Sequence, residues 1–237
     1  KKYAIPLSIT GASNYSLIPS QRSAILLLNR SILSSVAKVS GGEGIRIKPV
    51  GMHTKAEWTI QMSAIYSSLT RSNLTTAYLS NGTGGEFYTR ISSTAGIQVK
   101  NGRDGDDTWT QIPLQAGKWL HITYVHKDKK TTVYVNGKVQ KVFENSAITF
   151  GENSMIVVGN SGYRNDYLRE IRLWDKALTE SEINDYLYLP MDPATPHLIS
   201  YLPLSKEMET KDLKAPAGTE NVTTKARIEY VENVKFP

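Results

Sequence analysis

The sequence predicts an all-β fold, an antiparallel sandwich that carries one short helix. Strand candidates with alternating apolar residues recur at regular spacing, and turns rich in Gly and Asn separate them. Asn136-Gly137 is typical of a two-residue hairpin turn, because both positions of a type I′ turn need positive φ. Thr179 and Glu182 have the spacing of a capping box, which predicts that the helix starts there.

Composition limits the classes of protein to which the chain can belong. Its 237 residues are 40% apolar and 21% charged, which indicates a folded chain. It contains no cysteine, so disulfides, thiolate metal sites and cysteine nucleophiles are excluded. The net charge of +6 comes from scattered Lys and Arg without a basic cluster, so no nucleic-acid partner is predicted. The longest apolar run, Ala24 to Leu28, is too short for a transmembrane segment.

The first part of the chain is predicted to be separate from the main domain. Two strands, Tyr3 to Thr10 and Ala24 to Asn29, form an N-terminal pair within residues 1–32, joined by a polar loop. Two strands alone are marginally stable, so the pair should pack on the main domain or on another chain. The Ser- and Gly-rich stretch 33–44 is predicted to be a linker, and residues 45–237 form the main domain.

The main domain is predicted to be a series of strands up to residue 115. Glu57 to Ala64 is expected to be its first long core strand, with Trp58 as a core anchor. Shorter strands follow at Thr75 to Ser80, Glu86 to Ser92 and Gly96 to Lys100. No segment with helical periodicity of useful length interrupts them.

The second half of the chain carries the clearest strand pattern. Apolar residues alternate from Trp119 to Val125 and from Thr132 to Val135, as in half-buried strands. Met155 to Val158 and Leu198 to Leu204 are predicted to be further strands, and Arg227 to Val234 a final edge strand. Residues 205–224 are polar and predicted to be a loop.

Three segments of this half together resemble a known family. They are GKWLHITYVHKDKKTTVYVNGK at 117–138, IVVGN at 156–160 and YLREIRLWDKALTESEI at 167–183. They look like the second half of a laminin-G-like (concanavalin A-like) domain, closely over 117–183 and in outline over 45–190. The resemblance implies a two-sheet antiparallel jelly roll. It does not imply one function, since this fold hosts lectins, adhesion modules, glycan hydrolases and spacers.

A second resemblance concerns the N-terminal strand pair. YAIPLSITGASN and SAILLLNR in residues 1–30 are similar to the last strands of a β-sandwich module that precedes laminin-G-like domains in surface lipoproteins of gut anaerobes. This implies that the pair is the remnant of a preceding module. It also implies an exported protein at a bacterial cell surface or in the periplasm.

The sequence lacks the paired carboxylates that related hydrolases of this fold carry. Those enzymes place two carboxylates at i, i+2 or i+4 on one strand, so that both point into one cleft. The nearest candidate here is Glu170, but its face continues with Arg172 and Trp174. We therefore predict that the protein is not an enzyme, and a hydrolase that uses Glu170 is the remaining enzymatic hypothesis. The mid-strand His121 is predicted to be a hydrogen-bonded, partly buried residue.

The loop at residues 101–109 is the first candidate ligand site. Its aromatic, amide, guanidinium and carboxylate groups suit a sugar, and oxygens at alternate positions suit Ca²⁺. The alternative is a solvated turn with the indole packed on the core. The predicted sugar ligands in this loop are Arg103, Asp107 and Trp109, and the predicted Ca²⁺ ligands are Asp104 and Asp106.

Two further loops are candidate binding sites. Residues 160–167 resemble a loop that lies on the ligand-binding rim in this family, and the alternative is an ordinary polar loop. The predicted ligand residues there are Tyr163, Arg164, Asn165 and Asp166. Around residues 81–88, Tyr78 and Tyr88 either face the concave sheet or pack in an aromatic core or across strands, and we favour packing.

Together these observations predict a non-catalytic carbohydrate-binding module. It would capture an oligosaccharide or polysaccharide, and Ca²⁺ is the one cofactor that the loops suggest. The alternative is a structural or protein-adhesion module that contacts neighbouring domains or other surface proteins and binds no sugar. An exposed apolar patch at residues 1–30 would favour that alternative.

Overall fold

A computed structural model describes residues 35–41, 44–69, 74–80, 86–101, 108–144, 150–161, 164–187 and 189–234. The two predicted N-terminal strands lie outside these residues. The described strands are, in chain order, β1 (Ser35–Ser40), β2 (Ile45–Ile47), β3 (Trp58–Ile65), β4 (Leu74–Ser80), β5 (Glu86–Ser92), β6 (Gly96–Asn101), β7 (Thr108–Trp109), β8 (Trp119–Lys127), β9 (Lys130–Val135), β10 (Lys138–Phe143), β11 (Met155–Ser161), β12 (Arg164–Trp174), β13 (Leu198–Leu202), β14 (Val222–Thr224) and β15 (Arg227–Glu232). One helix, α1 (Glu180–Asp185), follows β12.

The strands form two antiparallel sheets, which confirms the predicted fold class. The eight-stranded sheet has the order β10-β9-β8-β3-β12-β1-β15, and β13 pairs with the far end of β12. The seven-stranded sheet has the order β14-β2-β11-β4-β5-β6-β7. Their facing sides enclose the main core, to which β3 alone contributes Trp58, Ile60, Met62 and Ala64. Alternate residues of a strand point to opposite faces, so the intervening residues of β3 lie on the outer face of its sheet.

A second apolar cluster covers that outer face of the eight-stranded sheet. Helix α1 contributes Ile183, and the strand residues Val125 and Trp174 pack against it together with Met191. Because of this extra layer, β8 is buried on both faces from Trp119 to His126 rather than half-buried as its alternation predicts. The expectation of half-burial was wrong because the covering residues are distant in the sequence.

The local turn and helix signals are confirmed in the structure. Asn136 and Gly137 have φ values of 50° and 77° and connect β9 to β10 in a tight hairpin. Thr179 caps α1: its side chain accepts a hydrogen bond from the Glu182 amide, and the Glu182 carboxylate accepts one from the Thr179 amide. Both signals involve residues only a few positions apart.

The predicted linker is wrong for residues 35–40. This segment is strand β1, which pairs with β12 on one side and with β15 on the other. Val36, Ala37 and Val39 are buried there. The Ser- and Gly-rich composition concealed a strand because its pairing partners lie more than a hundred residues further along the chain.

The C-terminal residues complete both sheets. The predicted edge strand is confirmed as β15, at the end of the eight-stranded sheet, and β13 is confirmed beside β12. The predicted loop at 205–224 contains a short strand, β14, which pairs with β2. The Asp212 carboxylate holds this region together, since it accepts hydrogen bonds from the Ser200 hydroxyl and from the backbone amide of Tyr201.

Candidate functional site

Three residues on neighbouring strands align across the outer face of the seven-stranded sheet. Trp109 on β7 pairs with Gln98 on β6, and Gln98 pairs with Arg90 on β5. Residues directly opposite each other in an antiparallel sheet share one face. Ile97 and Val99 point into the core, so Gln98 and its two partners face outward. We call Trp109, Gln98 and Arg90 the Trp109 row.

A tyrosine extends this row along β5. The Arg90 guanidinium carbon lies 4.7 Å from the centre of the Tyr88 ring. This cation–π contact holds the guanidinium and the ring side by side. Tyr88 faces outward and does not point into the core, and an outward direction was one of the two alternatives from the sequence. It pairs in register with Tyr78, whose side chain is outside the description.

Gln98 carries a buried amide in the centre of the row. The residue is 1% exposed, although it lies on the outer face of the sheet between two large side chains. Within the described structure, its Oε1 atom has no hydrogen-bond partner. A buried acceptor without a partner costs about 1–3 kcal/mol, so a hydrogen-bond donor that reached this oxygen would lower that cost.

Backbone contacts fix Trp109 at the sheet edge. The Lys141 ammonium donates to the Trp109 carbonyl at 2.9 Å. The next residue, Thr110, accepts a hydrogen bond from the Ile97 amide through its hydroxyl, also at 2.9 Å. Trp109 is half-buried as a residue, and its pairing with Gln98 places it on the outer face of the sheet.

Only some of the predicted ligand residues fall within the described structure. Trp109 belongs to the row above, and the backbones of Arg164 and Asn165 start β12, although their side chains are outside the description. Asp166 is 2% exposed and accepts a hydrogen bond from the Ser67 amide at 2.6 Å, which is a structural contact. The residues that lie outside the described structure are Arg103, Asp104, Asp106, Asp107 and Tyr163.

The sequence did not single out Gln98 or Arg90. Both occupy alternate positions of strands that were predicted correctly, so their outward direction could have been inferred from periodicity. Their alignment with Trp109 depends on the register between three strands. That register cannot be read from the strand patterns alone, and so the cluster becomes evident only in the folded sheet.

Glu170 lies in a buried charged cluster on the outer face of the eight-stranded sheet. It is 3% exposed, its carboxylate pairs with the Arg172 guanidinium, and its other oxygen lies 3.6 Å from Arg169 Nε. Glu170 has a φ of 53° and is the extra residue where the β12–β3 register shifts. Arg172 also donates to the carbonyls of Tyr186 and Leu189, which cover the cluster.

Two neighbours of this cluster are held in their neutral forms. Burial, followed by the nearby charge of Arg172, lowers the pKa of His121 to about 3. Burial, followed by the negative charge of Glu170, raises the pKa of Tyr201. The Nδ1 atom of His121 lies 3.4 Å from the Thr123 hydroxyl, which confirms the predicted hydrogen bond, and at 2% exposure the residue is fully rather than partly buried.

The described part of the chain shows neither a metal-binding cluster nor a membrane-spanning helix. The described residues hold no group of three or more His, Cys, Asp or Glu side chains arranged to bind a metal ion. The predicted Ca²⁺ ligands, Asp104 and Asp106, are outside that description. No helix in the described part of the chain is long and apolar enough to cross a membrane.

A comparison with known protein families identifies the family to which the central part of this chain is similar. A family model described as the concanavalin A-like lectin/glucanases superfamily, of laminin-G type, matches residues 40–184. This covers more than half of the chain and includes all three segments that carry the sequence resemblance. A comparison with curated proteins finds no match.

Solved structures show the same fold at low identity. A candidate carbohydrate-binding protein from Bacteroides ovatus is 18% identical with a TM-score of 0.61, and the match covers 84% of this chain and 60% of that one. Domain 4 of the arabinanase AbnA from Geobacillus stearothermophilus, solved with arabinotriose, is 19% identical with a TM-score of 0.53, over 64% of this chain and 76% of that one. A sialidase from Trypanosoma rangeli, solved with the inhibitor DANA, is 14% identical with a TM-score of 0.50, over 64% of this chain and 27% of that one.

Proposed function

This chain belongs to the concanavalin A-like lectin/glucanase superfamily, and within it we propose that the chain is a non-catalytic carbohydrate-binding module. The observation that carries the proposal is the Trp109 row. It aligns on one outward face the half-buried Trp109, the Gln98 amide, whose oxygen has no partner among the described residues, and the Arg90 guanidinium. Sugar sites combine these same groups, because an aromatic face packs on C–H groups while planar polar groups bind hydroxyls.

The surroundings of Glu170 support a non-catalytic role. A catalytic carboxylate must reach the substrate, but Glu170 lies beneath the residues that follow α1 and is paired with Arg172. Its carboxylate is already bound by an arginine, whereas a hydrolase would need to expose it. The Bacteroides and Geobacillus proteins lend general support, since their descriptions include carbohydrate binding or a bound oligosaccharide.

The proposed site extends into the loop that precedes Trp109. Arg103 and Asp107 lie two to six residues before Trp109 in the sequence, and we propose that they contribute hydrogen bonds to the same sugar. Asp104 and Asp106 are proposed as Ca²⁺ ligands in that loop. The second predicted loop, with Tyr163, Arg164 and Asn165, remains a separate proposed contact.

We also propose an exported location, on a bacterial cell surface or in the periplasm. The proposal rests on the resemblance of residues 1–30 and 117–183 to modules of surface lipoproteins. Fractionation of the native host, with detection of the protein in the membrane, periplasmic and cytoplasmic fractions, tests it directly. Recovery in the cytoplasm alone would contradict it.

A glycan array followed by affinity gel electrophoresis tests the binding function. We expect saturable binding of at least one polysaccharide, a loss of about tenfold or more for Trp109→Ala, and partial retention for Trp109→Phe, which keeps an aromatic face. Tyr230→Ala is the matched control, because Tyr230 is a half-buried aromatic residue on β15 of the other sheet. Repeating the measurement with EDTA tests the role of Ca²⁺.

The outcomes separate the two functional hypotheses. Binding that is lost in Trp109→Ala and kept in Tyr230→Ala supports the carbohydrate-binding module. No binding to any polysaccharide would reject it and favour the structural or protein-adhesion module. Turnover of a polysaccharide would reject the non-catalytic part of the proposal.

A further inference from the structure

The outer face of the seven-stranded sheet is rich in cationic side chains. Arg90 belongs to the Trp109 row, and Arg46 on β2 lies on the same face because it aligns with Val157, Tyr78 and Tyr88 across the sheet. Lys48 follows two residues after Arg46 and is exposed. Among the described side chains that these strands direct outward, none is a carboxylate. Three cations from distant parts of the sequence therefore lie on one face of the sheet, where the side chain of Glu86 is outside the description.

Arg90 is the cation placed to touch a ligand in the row. Its guanidinium carbon lies 4.7 Å from the centre of the Tyr88 ring, so this contact holds the guanidinium beside the ring. A guanidinium has five N–H donors, which is enough to bind a ligand in addition to protein partners. Its planar fork matches the paired oxygens of a carboxylate or sulfate group.

The other cations act at longer range. Arg46 is three strands from Tyr88, a distance of about 14 Å at the usual spacing between strands. This exceeds the screening length of about 8 Å at physiological ionic strength, so Arg46 adds attraction mainly at low salt. Val157 lies next to Arg46 in this row and is buried, so a ligand does not reach that part of the face. We therefore assign the direct ligand contact to the end of the face that holds Arg90 and Trp109.

We propose that the Trp109 row is a subsite for an anionic sugar, one that carries a carboxylate or sulfate group. This inference rests on the proposed carbohydrate-binding function. Trp109 packs on the sugar ring and Arg90 binds the anionic group, with the buried Gln98 between them. The row spans two strand spacings, about 10 Å, which suits a short saccharide segment that crosses the strands.

Paired polysaccharides that differ only in charge test the proposal. Polygalacturonate and its fully methyl-esterified form share one backbone, and they test a carboxylate ligand. Dextran sulfate and dextran provide the sulfate arm. Titration calorimetry with the full chain should show about tenfold tighter binding of the charged member of at least one pair, because a charge-assisted hydrogen bond is lost in the neutral member.

Two matched variants separate a specific site from general attraction. Arg90→Gln should abolish the preference for the charged polysaccharide, and Arg90→Lys should recover only part of it, because lysine lacks the planar fork. Arg227→Gln is the control: it removes the same charge from an exposed position on β15 of the other sheet and should change affinity less than about twofold. Circular dichroism confirms that each variant is folded.

Each result decides between defined alternatives. Equal affinity for charged and neutral members overturns the anionic subsite and leaves the carbohydrate-binding function intact. An equal loss in Arg90→Gln and Arg227→Gln shows attraction by net charge alone and also overturns the subsite. If no member of either pair binds and the glycan array is negative, the proposed function itself fails.

Discussion

Glu170 and its two arginine neighbours explain why a carboxylate in this strand serves structure rather than catalysis. A buried ion pair gains little over apolar packing, but removing one partner leaves an uncompensated charge in a region of low dielectric constant. Here a single carboxylate faces Arg169 and Arg172, and Arg172 in turn holds two carbonyls of the segment after α1. By pairing with Arg172, Glu170 therefore helps to hold the segment after α1 against the eight-stranded sheet.

Glu170→Gln is expected to destabilise the fold by about 3 kcal/mol, because the amide keeps the shape but does not neutralise the arginines. Urea unfolding measures this as a lower midpoint at constant slope. Glu229→Gln is the control, since Glu229 pairs with Lys38 at the exposed edge and should have no measurable effect. An unchanged midpoint for Glu170→Gln would contradict the structural role, and loss of a polysaccharide-cleaving activity would reassign Glu170 to catalysis.

The hairpin between β9 and β10 is also a contact point for the helix. Asn184 of α1 donates through Nδ2 to the Gly137 carbonyl at 3.2 Å and to the Glu180 carbonyl at 2.8 Å. Gly137 has a φ of 77°, and a Cβ atom there would overlap the Asn184 side-chain oxygen. The glycine is therefore required both by the turn and by the approach of the helix.

Gly137→Ala should cost about 2 kcal/mol, of which about half is the backbone strain of alanine at positive φ and half the disturbed contact with Asn184. Gly117→Ala isolates the first part, because Gly117 has a φ of 72° and open space where a methyl group would lie, and it should cost about 1 kcal/mol. Thermal and urea unfolding provide the values. In an Asn184→Ala background the two alanine variants should cost the same, and a persistent difference would refute the helix contact.

Elements set by short-range chemistry could be predicted from the sequence, and elements set by distant pairing could not. The Asn136-Gly137 turn and the Thr179 cap depend on a few adjacent residues, and both are where the sequence places them. Strand β1 was interpreted as a linker because its partners, β12 and β15, are remote in the sequence. The bulge at Glu170 changes which residues of β12 share a face, and periodicity alone does not reveal a bulge.

In the candidate site, too, one residue could be predicted from the sequence and two could not. Trp109 could be selected from the sequence because an indole among polar loop residues is conspicuous. Gln98 and Arg90 are ordinary strand residues, and they become part of a site only because β5, β6 and β7 align them. The burial of Gln98 depends on its neighbours across the sheet, which the order of residues along the chain does not specify.

At the scale of the whole molecule, the two sheets and the covering layer form three layers, and the two interfaces between these layers differ in chemistry. The core between the sheets is apolar, whereas the interface between the eight-stranded sheet and the covering layer contains ions and a histidine as well as apolar residues. Segments beyond residue 184 supply strands to both sheets and residues to the covering layer. The histidine in that second interface, His121, links global stability to pH.

His121 predicts the direction of that dependence. In the folded protein, burial and the charge of Arg172 lower its pKa to about 3, whereas an unfolded histidine titrates near 6.5. Between these values the unfolded chain binds a proton that the folded chain does not, so stability is full above pH 6.5 and falls as the pH decreases. From pH 7.5 to pH 5, His121 should lower the free energy of unfolding by about 2 kcal/mol.

His121→Gln should remove that part of the decline, as measured by urea unfolding at the two pH values. His197→Gln, at an exposed position, should retain it. An identical decline in wild type and His121→Gln would show that the histidine is not held neutral by the fold.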